Sequence, residues 1–161
     1  MNDMINLGKI VDTHGIKGEL RVISKFKYKE KAFKPGNTII INNKEYTIKT
    51  YRVHKQYDMI TLNDFNNINQ VLFLLKNNVY IREKELNLND SEVLDEELMT
   101  YKIYSLDNKS GIIKEIFDAG NGNKIIRVMF DKEYLIPYND TFIKKIDKKN
   151  KEVLIDISVF E

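Results

Sequence analysis

His14 and His54 are the chain's two histidines, and neither has a second ligand at the spacing that holds a metal ion. The five serines, Ser24, Ser91, Ser105, Ser110 and Ser158, sit in no nucleophile motif, and there is no cysteine to serve as nucleophile, thiolate ligand or disulfide partner. Gly120-Asn121-Gly122 has the composition of a nucleotide loop, but a strand-like segment follows it where phosphate binding needs a helix N-terminus, so it reads as a hairpin turn. The expectation is a protein that binds and does not make bonds, with no catalytic residue, metal or cofactor.

Binding residues are easier to name. In His14-Gly15-Ile16-Lys17-Gly18 two glycines let the backbone turn sharply, while Lys17, with Arg21 just beyond, reaches phosphate or an acidic protein surface. A purely structural turn is the other reading, and the residues do not choose between them. Residues 17–34 hold seven basic groups (Lys17, Arg21, Lys25, Lys27, Lys29, Lys31, Lys34) against Glu19 and Glu30. Lys25, Lys27 and Lys29, with Lys31 after them, extend one strand face that can meet RNA by sequence-blind counterion release. An edge-protecting lysine strand explains them too, and no aromatic ladder on that face supports base stacking. Val93, Leu94, Leu98 and Met99 are apolar in an acidic stretch, either docking it on a barrel or forming a protein-binding patch shared with Pro137 and Tyr138. A strand-terminating role explains Pro137 on its own.

These residues need elements to position them. With 42% hydrophobic and 31% charged residues the 161-residue chain is too apolar for disorder and suits a soluble fold. Residues 1–8 carry Asp3 and lack the basic patch and apolar run of a signal peptide, and nothing approaches the roughly 18 apolar residues of a membrane span. A cytoplasmic protein with no membrane partner is expected. Residues 1–90 hold 15 Lys/Arg against 10 Asp/Glu, whereas residues 91–161 hold 11 against 14, which hints at two modules. The joint abundance of Lys, Asn and Ile is also what an A/T-biased genome produces without selection for binding.

Short β-branched and aromatic runs separated by Gly, Asn and Asp predict a mainly β protein. Alternation from Glu19 to Tyr28 predicts one strand with Leu20, Val22, Ser24, Phe26 and Tyr28 on its core face. Pro35-Gly36 supplies a turn, and strands follow at 38–41, 45–54, 58–62 and 78–82. Ile68, Val71, Leu72 and Leu75 predict a helix over residues 68–76 that plugs a barrel end. Residues 83–97 lose alternation and read as a linker. A tight meander at 102–105, 111–117, 124–130, 133–136, 143–147 and 152–157 predicts a second small barrel, because a short sheet otherwise leaves its edges exposed.

Two stretches are more specific. Gly8-Lys9-Ile10-Val11 running through His14-Gly15-Ile16-Lys17-Gly18-Glu19-Leu20-Arg21-Val22 resembles the N-terminal signature of the RimM family. Leu135-Ile136-Pro137-Tyr138 followed by Phe142-Ile143-Lys144-Lys145-Ile146-Asp147 resembles the closing motif of that family's PRC-type barrel. Gly111-Ile112-Ile113 and Arg82-Glu83-Lys84-Glu85-Leu86 match intermediate landmarks. Val93-Leu94 stands where the family commonly has adjacent tyrosines, and Thr100 stands for its glycine.

The resemblance implies two small β-barrels: residues 1–88, similar to the second domain of elongation factors, and residues 98–161, a PRC-barrel, joined by a linker at 89–97. It also implies a monomeric ribosome maturation factor that binds the head of the small ribosomal subunit precursor through small-subunit ribosomal protein nineteen and assists rRNA folding and processing. The partner-binding residues would be His14, Gly15, Lys17, Gly18, Arg21, Val93, Leu94, Leu98, Pro137 and Tyr138. Lys25, Lys27, Lys29 and Lys31 would lie near rRNA. A stand-alone RNA-binding module using residues 17–34 is the alternative.

Overall fold

The computed structural model describes residues 3–120 and 122–161; Asn121, in the turn expected at residues 120–123, lies outside the described residues. Two compact units, Met1–Asn87 and Leu88–Glu161, make up the chain.

In the first unit, apolar side chains alternating at period two build β1 (Met4–His14), β2 (Glu19–Ile23), β3 (Thr38–Ile41), β4 (Lys44–His54), β5 (Tyr57–Leu62) and β6 (Asn78–Arg82). They close into an antiparallel barrel in the order β1-β2-β5-β4-β3-β6 around a core that includes Leu7, Ile10, Leu20, Ile39, Ile60 and Ile81. Closure works through β1, whose residues Met4 to Lys9 pair with β6 and whose residues Lys9 to His14 pair with β2. Gly8 sits at the changeover with φ +149°, and a Cβ there would fall 2.1 Å from the Ile23 carbonyl oxygen. No side chain fits that approach.

The expected strand from Glu19 to Tyr28 stops at Ile23. Ser24 is buried and its Oγ accepts the Phe26 amide at 3.1 Å, a local bond that competes with the sheet ladder. The chain then enters the single helical turn α1 (Lys29–Ala32), so Lys25, Lys27, Lys29 and Lys31 do not line one strand face. Lys29 Nζ lies 3.0 Å from Asp58, whose side chain is 1% exposed and whose other oxygen accepts the Tyr51 hydroxyl at 2.6 Å. Burial, then the bond to Asp58, pushes the Tyr51 phenol well above its usual range. Tyr51 in turn stacks on the buried Phe33 at 5.3 Å between ring centroids, fixing α1 to the barrel.

The helix expected over residues 68–76 is two 3-10 turns, Ile68–Gln70 and Leu72–Leu74. Gln70 Oε1 accepts the amides of Asn66 and Asn67, and Lys76 takes a φ of +71°, so the run is held at both ends before an α-helix can propagate. Val71 and Leu74 are buried, but Leu72, expected inward, is 48% exposed.

The second unit contains α2 (Asp95–Leu98), β7 (Lys102–Ser105), β8 (Ser110–Asp118), β9 (Lys124–Met129), β10 (Glu133–Pro137), β11 (Ile143–Asp147) and β12 (Glu152–Ile155). The sheet order is β10-β9-β8-β7-β12-β11, and β12 joins β7 in a parallel pair, so the expected simple meander holds only from β7 to β10. β10 and β11 are the sheet edges, yet Tyr134 and Ile136 of one and Ile143 of the other share a single core. The sheet therefore curls round that core as a barrel open along one seam. Residues 89–97, read as a linker, contribute to this unit: Val93 is fully buried beside Leu98, Tyr101 and Ile103.

Gly8→Ala should lower stability by about 1–3 kcal/mol through the forced clash and positive φ, read as a lower urea midpoint. Lys29→Met leaves Asp58 buried with one partner; because Lys29 is 35% exposed, a loss of about 1–3 kcal/mol is expected, less than for a fully buried pair.

Candidate partner-binding site

β1 and β2 are joined by Gly15–Gly18, with His14 opposite Glu19 in the ladder. The Ile68 amide donates to the Ile16 carbonyl at 2.8 Å, and a Cβ on Gly18, where φ is +90°, would sit 3.2 Å from the Asn67 carbonyl oxygen. The loop is thus clamped at its base against the first 3-10 turn. Its tip carries Ile16, 76% exposed, and an exposed Lys17.

Cross-strand register places a polar cluster beside this loop. Asp12 pairs with Arg21, Arg21 and Arg52 both pair with Met59, and His54 pairs with Tyr57. Directly opposed residues share a face, as do residues two apart on a strand, so His14, Glu19, Arg21, Arg52, His54 and Tyr57 stand together on the outer face of β1, β2, β5 and β4. Met59, on that same face, is completely covered.

The cluster is tightly bonded. Arg52 binds Glu19 through two parallel bonds, Nε at 2.9 Å and Nη2 at 2.7 Å, which hold the Glu19 carboxyl below its usual range despite partial burial. Arg21 Nη2 donates to His14 Nδ1 at 2.8 Å; because a guanidinium only donates, that nitrogen must carry the lone pair. Arg21 also lies 3.7 Å from Asp12 and over the Tyr57 ring at 5.4 Å. The rings of His14 and His54 are 5.4 Å apart. Desolvation first, then the guanidinium of Arg52 and the neighbouring charges of Lys55 and Arg21, push the His54 pKa down.

Two guanidiniums facing two carboxylates make a rigid, largely self-neutralised surface, better suited to shape recognition than to gathering phosphate. Among the described residues no group of three or more His, Cys, Asp or Glu converges as a metal site. Of the expected partner residues, His14, Gly15, Lys17, Gly18 and Arg21 lie here, and Ile16, Arg52, His54 and Tyr57 join them. Arg52 and His54 lie on another hairpin, and only strand register shows that they belong.

The other expected partner residues are dispersed in role. Val93 and Leu98 are buried and serve packing, because an apolar residue with no exposure has nothing to offer a partner. Leu94, Pro137 and Tyr138 are half-buried. Lys124, ion-paired with Asp95 beside Leu94, lies 5.2 Å over the Tyr138 ring and ties α2 to the end of β10. Nearby, the outer face of β8, β9 and β10 exposes Ile112 and Leu135, at 57% and 50%, around Arg127, which bonds Glu115 and Glu133. Of the four lysines expected near rRNA, Lys29 is paired with Asp58, Lys31 donates to the Asn87 carbonyl at 3.2 Å and Lys27 lies 5.1 Å over the Tyr28 ring; Lys25 is exposed.

The pattern that describes the RimM N-terminal domain matches residues 5–86, which includes the whole of this cluster. The chain belongs to the RimM family. It is similar to proteins named ribosome maturation factor RimM along nearly its whole length: 39% identical to that of Ligilactobacillus salivarius, covering 94% of each chain, and 37% identical to that of Bacillus subtilis, covering 94% of this chain and 92% of that one. The RimM protein of Staphylococcus saprophyticus is 37% identical, with 94% of each chain covered. Among solved structures, the RimM protein of Pseudomonas aeruginosa matches with a TM-score of 0.48 and 20% identity over 96% of this chain and 97% of that one. Among the described residues of this RimM chain, no helix is long and apolar enough to cross a membrane.

The folded state resists protonating His54, so stability is complete above the ordinary histidine pKa and falls as pH drops below it. An NMR titration should place the His54 midpoint below the ordinary value, and Arg52→Gln, which removes a nearby cation, should move it upward.

Proposed function

We propose that this RimM-family chain is a cytoplasmic maturation factor that binds the head of the assembling small ribosomal subunit through small-subunit ribosomal protein nineteen, assists folding and processing of the nearby rRNA, and makes or breaks no bond itself. The names of its relatives support the general role. The observation that carries the binding mode is the Gly15–Gly18 loop, which holds Ile16 and Lys17 outward on a base fixed by hydrogen bonds and by the bonded platform behind it. A preorganised apolar and cationic tip binds a protein surface with little ordering entropy to overcome. Preference for one conformation of the subunit head then shifts its population toward that state.

The alternative, an RNA-binding module using residues 17–34, finds less support, because Lys29 and Lys31 are engaged within the fold and the strand ends at Ile23, before these lysines.

Purified protein should co-sediment with immature small subunits and capture small-subunit ribosomal protein nineteen. Ile16→Asp with Lys17→Glu should weaken both by about tenfold or more while leaving the urea midpoint unchanged. Free migration of the wild-type chain at every salt concentration would remove the proposal, and unchanged binding by the double variant would remove the loop's part in it.

A further inference from the structure

A second surface of the first unit is built differently from the histidine-arginine platform. On the outer face of β1, β6 and β3 lies a groove of about 400 Å³ lined by Met4, Ile40, Asn42, Asn43, Asn77, Asn78 and Tyr80, with no charged side chain in its wall. The volume is within the range that small-molecule sites occupy. Asn42 and Asn43 form the tight turn between β3 and β4, with φ of +52° and +66°, and Asn77 and Asn78 lead into β6. Asn77 Nδ2 is engaged with the carbonyls of Phe73, Leu74 and Leu75. Among the described residues, the side chains of Asn42, Asn43 and Asn78 have no such partner. Tyr80, between Asn6 and Ile40 in the ladder, presents its half-buried ring on the same face.

Cations stand round the groove and not in it. Lys9 is opposite Asn78 in the ladder, Lys44 follows Asn43 and Lys76 precedes Asn77. All three are exposed, and among the described residues none has an ion pair. Glu45, next to Lys44, is neutralised by Arg82.

We infer that this groove takes unpaired bases of single-stranded RNA, with the asparagine amides on base edges, Tyr80 as a stacking surface and Lys9, Lys44 and Lys76 on the flanking phosphates. Amides carry both donor and acceptor and match the edges of bases. An aromatic face accepts any base, and rim lysines supply the salt-dependent backbone attraction. A duplex pairs the Watson–Crick edges of its bases and stacks their faces, so it cannot splay a base into such a pocket. Three unpaired cations around an uncharged wall favour a polyanion over a peptide. The inference deepens the rRNA part of the function proposed above and rests on it.

The test is fluorescence anisotropy with the full chain and a labelled, short, adenine-only RNA. Tight binding is expected, about tenfold stronger than to an abasic oligoribonucleotide of the same length or to duplex RNA. Asn78→Ala with Asn43→Gly, which keeps the turn geometry, should weaken it by about tenfold, and Asn78→Asp by more. Lys9→Gln with Lys76→Gln should flatten the salt dependence and keep the preference for bases. Equal binding of the abasic strand, indifference to the asparagine variants, or a neutral amide-rich peptide binding in place of RNA would overturn the inference. Co-sedimentation separates the two levels: a wild-type chain that joins immature subunits but binds the oligonucleotide independently of the groove removes the groove alone. Groove-dependent RNA binding by a chain that never joins subunits supports the groove and removes the subunit reading.

Discussion

A closed β-ladder leaves no strand free to choose its position, because each must satisfy hydrogen bonds on both edges at once. In this chain the constraint concentrates on β1, which serves β6 with its first half and β2 with its second, and on Gly8, where the backbone crosses the Ile23 carbonyl at a distance no Cβ permits. Once that crossing is made, the register of β2 against β1 and β5 is set. The register brings Arg21 beside His14 and Asp12, and Arg52 of a distant hairpin beside Glu19. The platform is therefore a consequence of barrel closure and needs no separate folding instruction.

The same closure sorts the chain's many cations into three fates. Arg21, Arg52 and Arg82 are held by carboxylates or a histidine on the outer surface. Lys29 turns inward to Asp58, a carboxylate at 1% exposure that would be costly to bury without a partner. Lys9, Lys17, Lys44 and Lys76 stay exposed and unpaired among the described residues, and they mark the loop tip and the amide groove. Net charge alone does not distinguish these cases; local geometry does.

The second unit solves its edges differently. Its sheet wraps one core but leaves β10 and β11 unpaired with each other, and Pro137 at the end of β10 cannot donate to an added strand. Strands β8, β9 and β10 are apolar on both faces, as Ile112-Ile113, Ile125-Ile126 and Leu135-Ile136 show, so one face fills the core while the other leaves Ile112 and Leu135 exposed around Arg127. Residues 88–98, which carry no strand pattern, belong to this unit because Val93 and Leu98 are needed to complete its core.

Period-two alternation made most strands legible, since a pleated chain with one buried face permits little else, and the loop of His14 to Gly18 was visible because two glycines so close together permit the positive φ that a sharp turn uses. The sequence also carried the two motif stretches of the RimM family. It misled where a short local bond competed with the pattern: the Ser24 turn ended a strand that alternation would have continued to Tyr28, and Gln70 capped a helix into 3-10 turns. What residue order determined by itself was which segments are strands and where the chain must turn, because those depend on neighbours two to four positions away. What only the tertiary structure decided was the company each side chain keeps. Arg52 with Glu19, Lys29 with Asp58 and four asparagines around one groove are meetings across the barrel, fixed by strand order and register that no local pattern encodes.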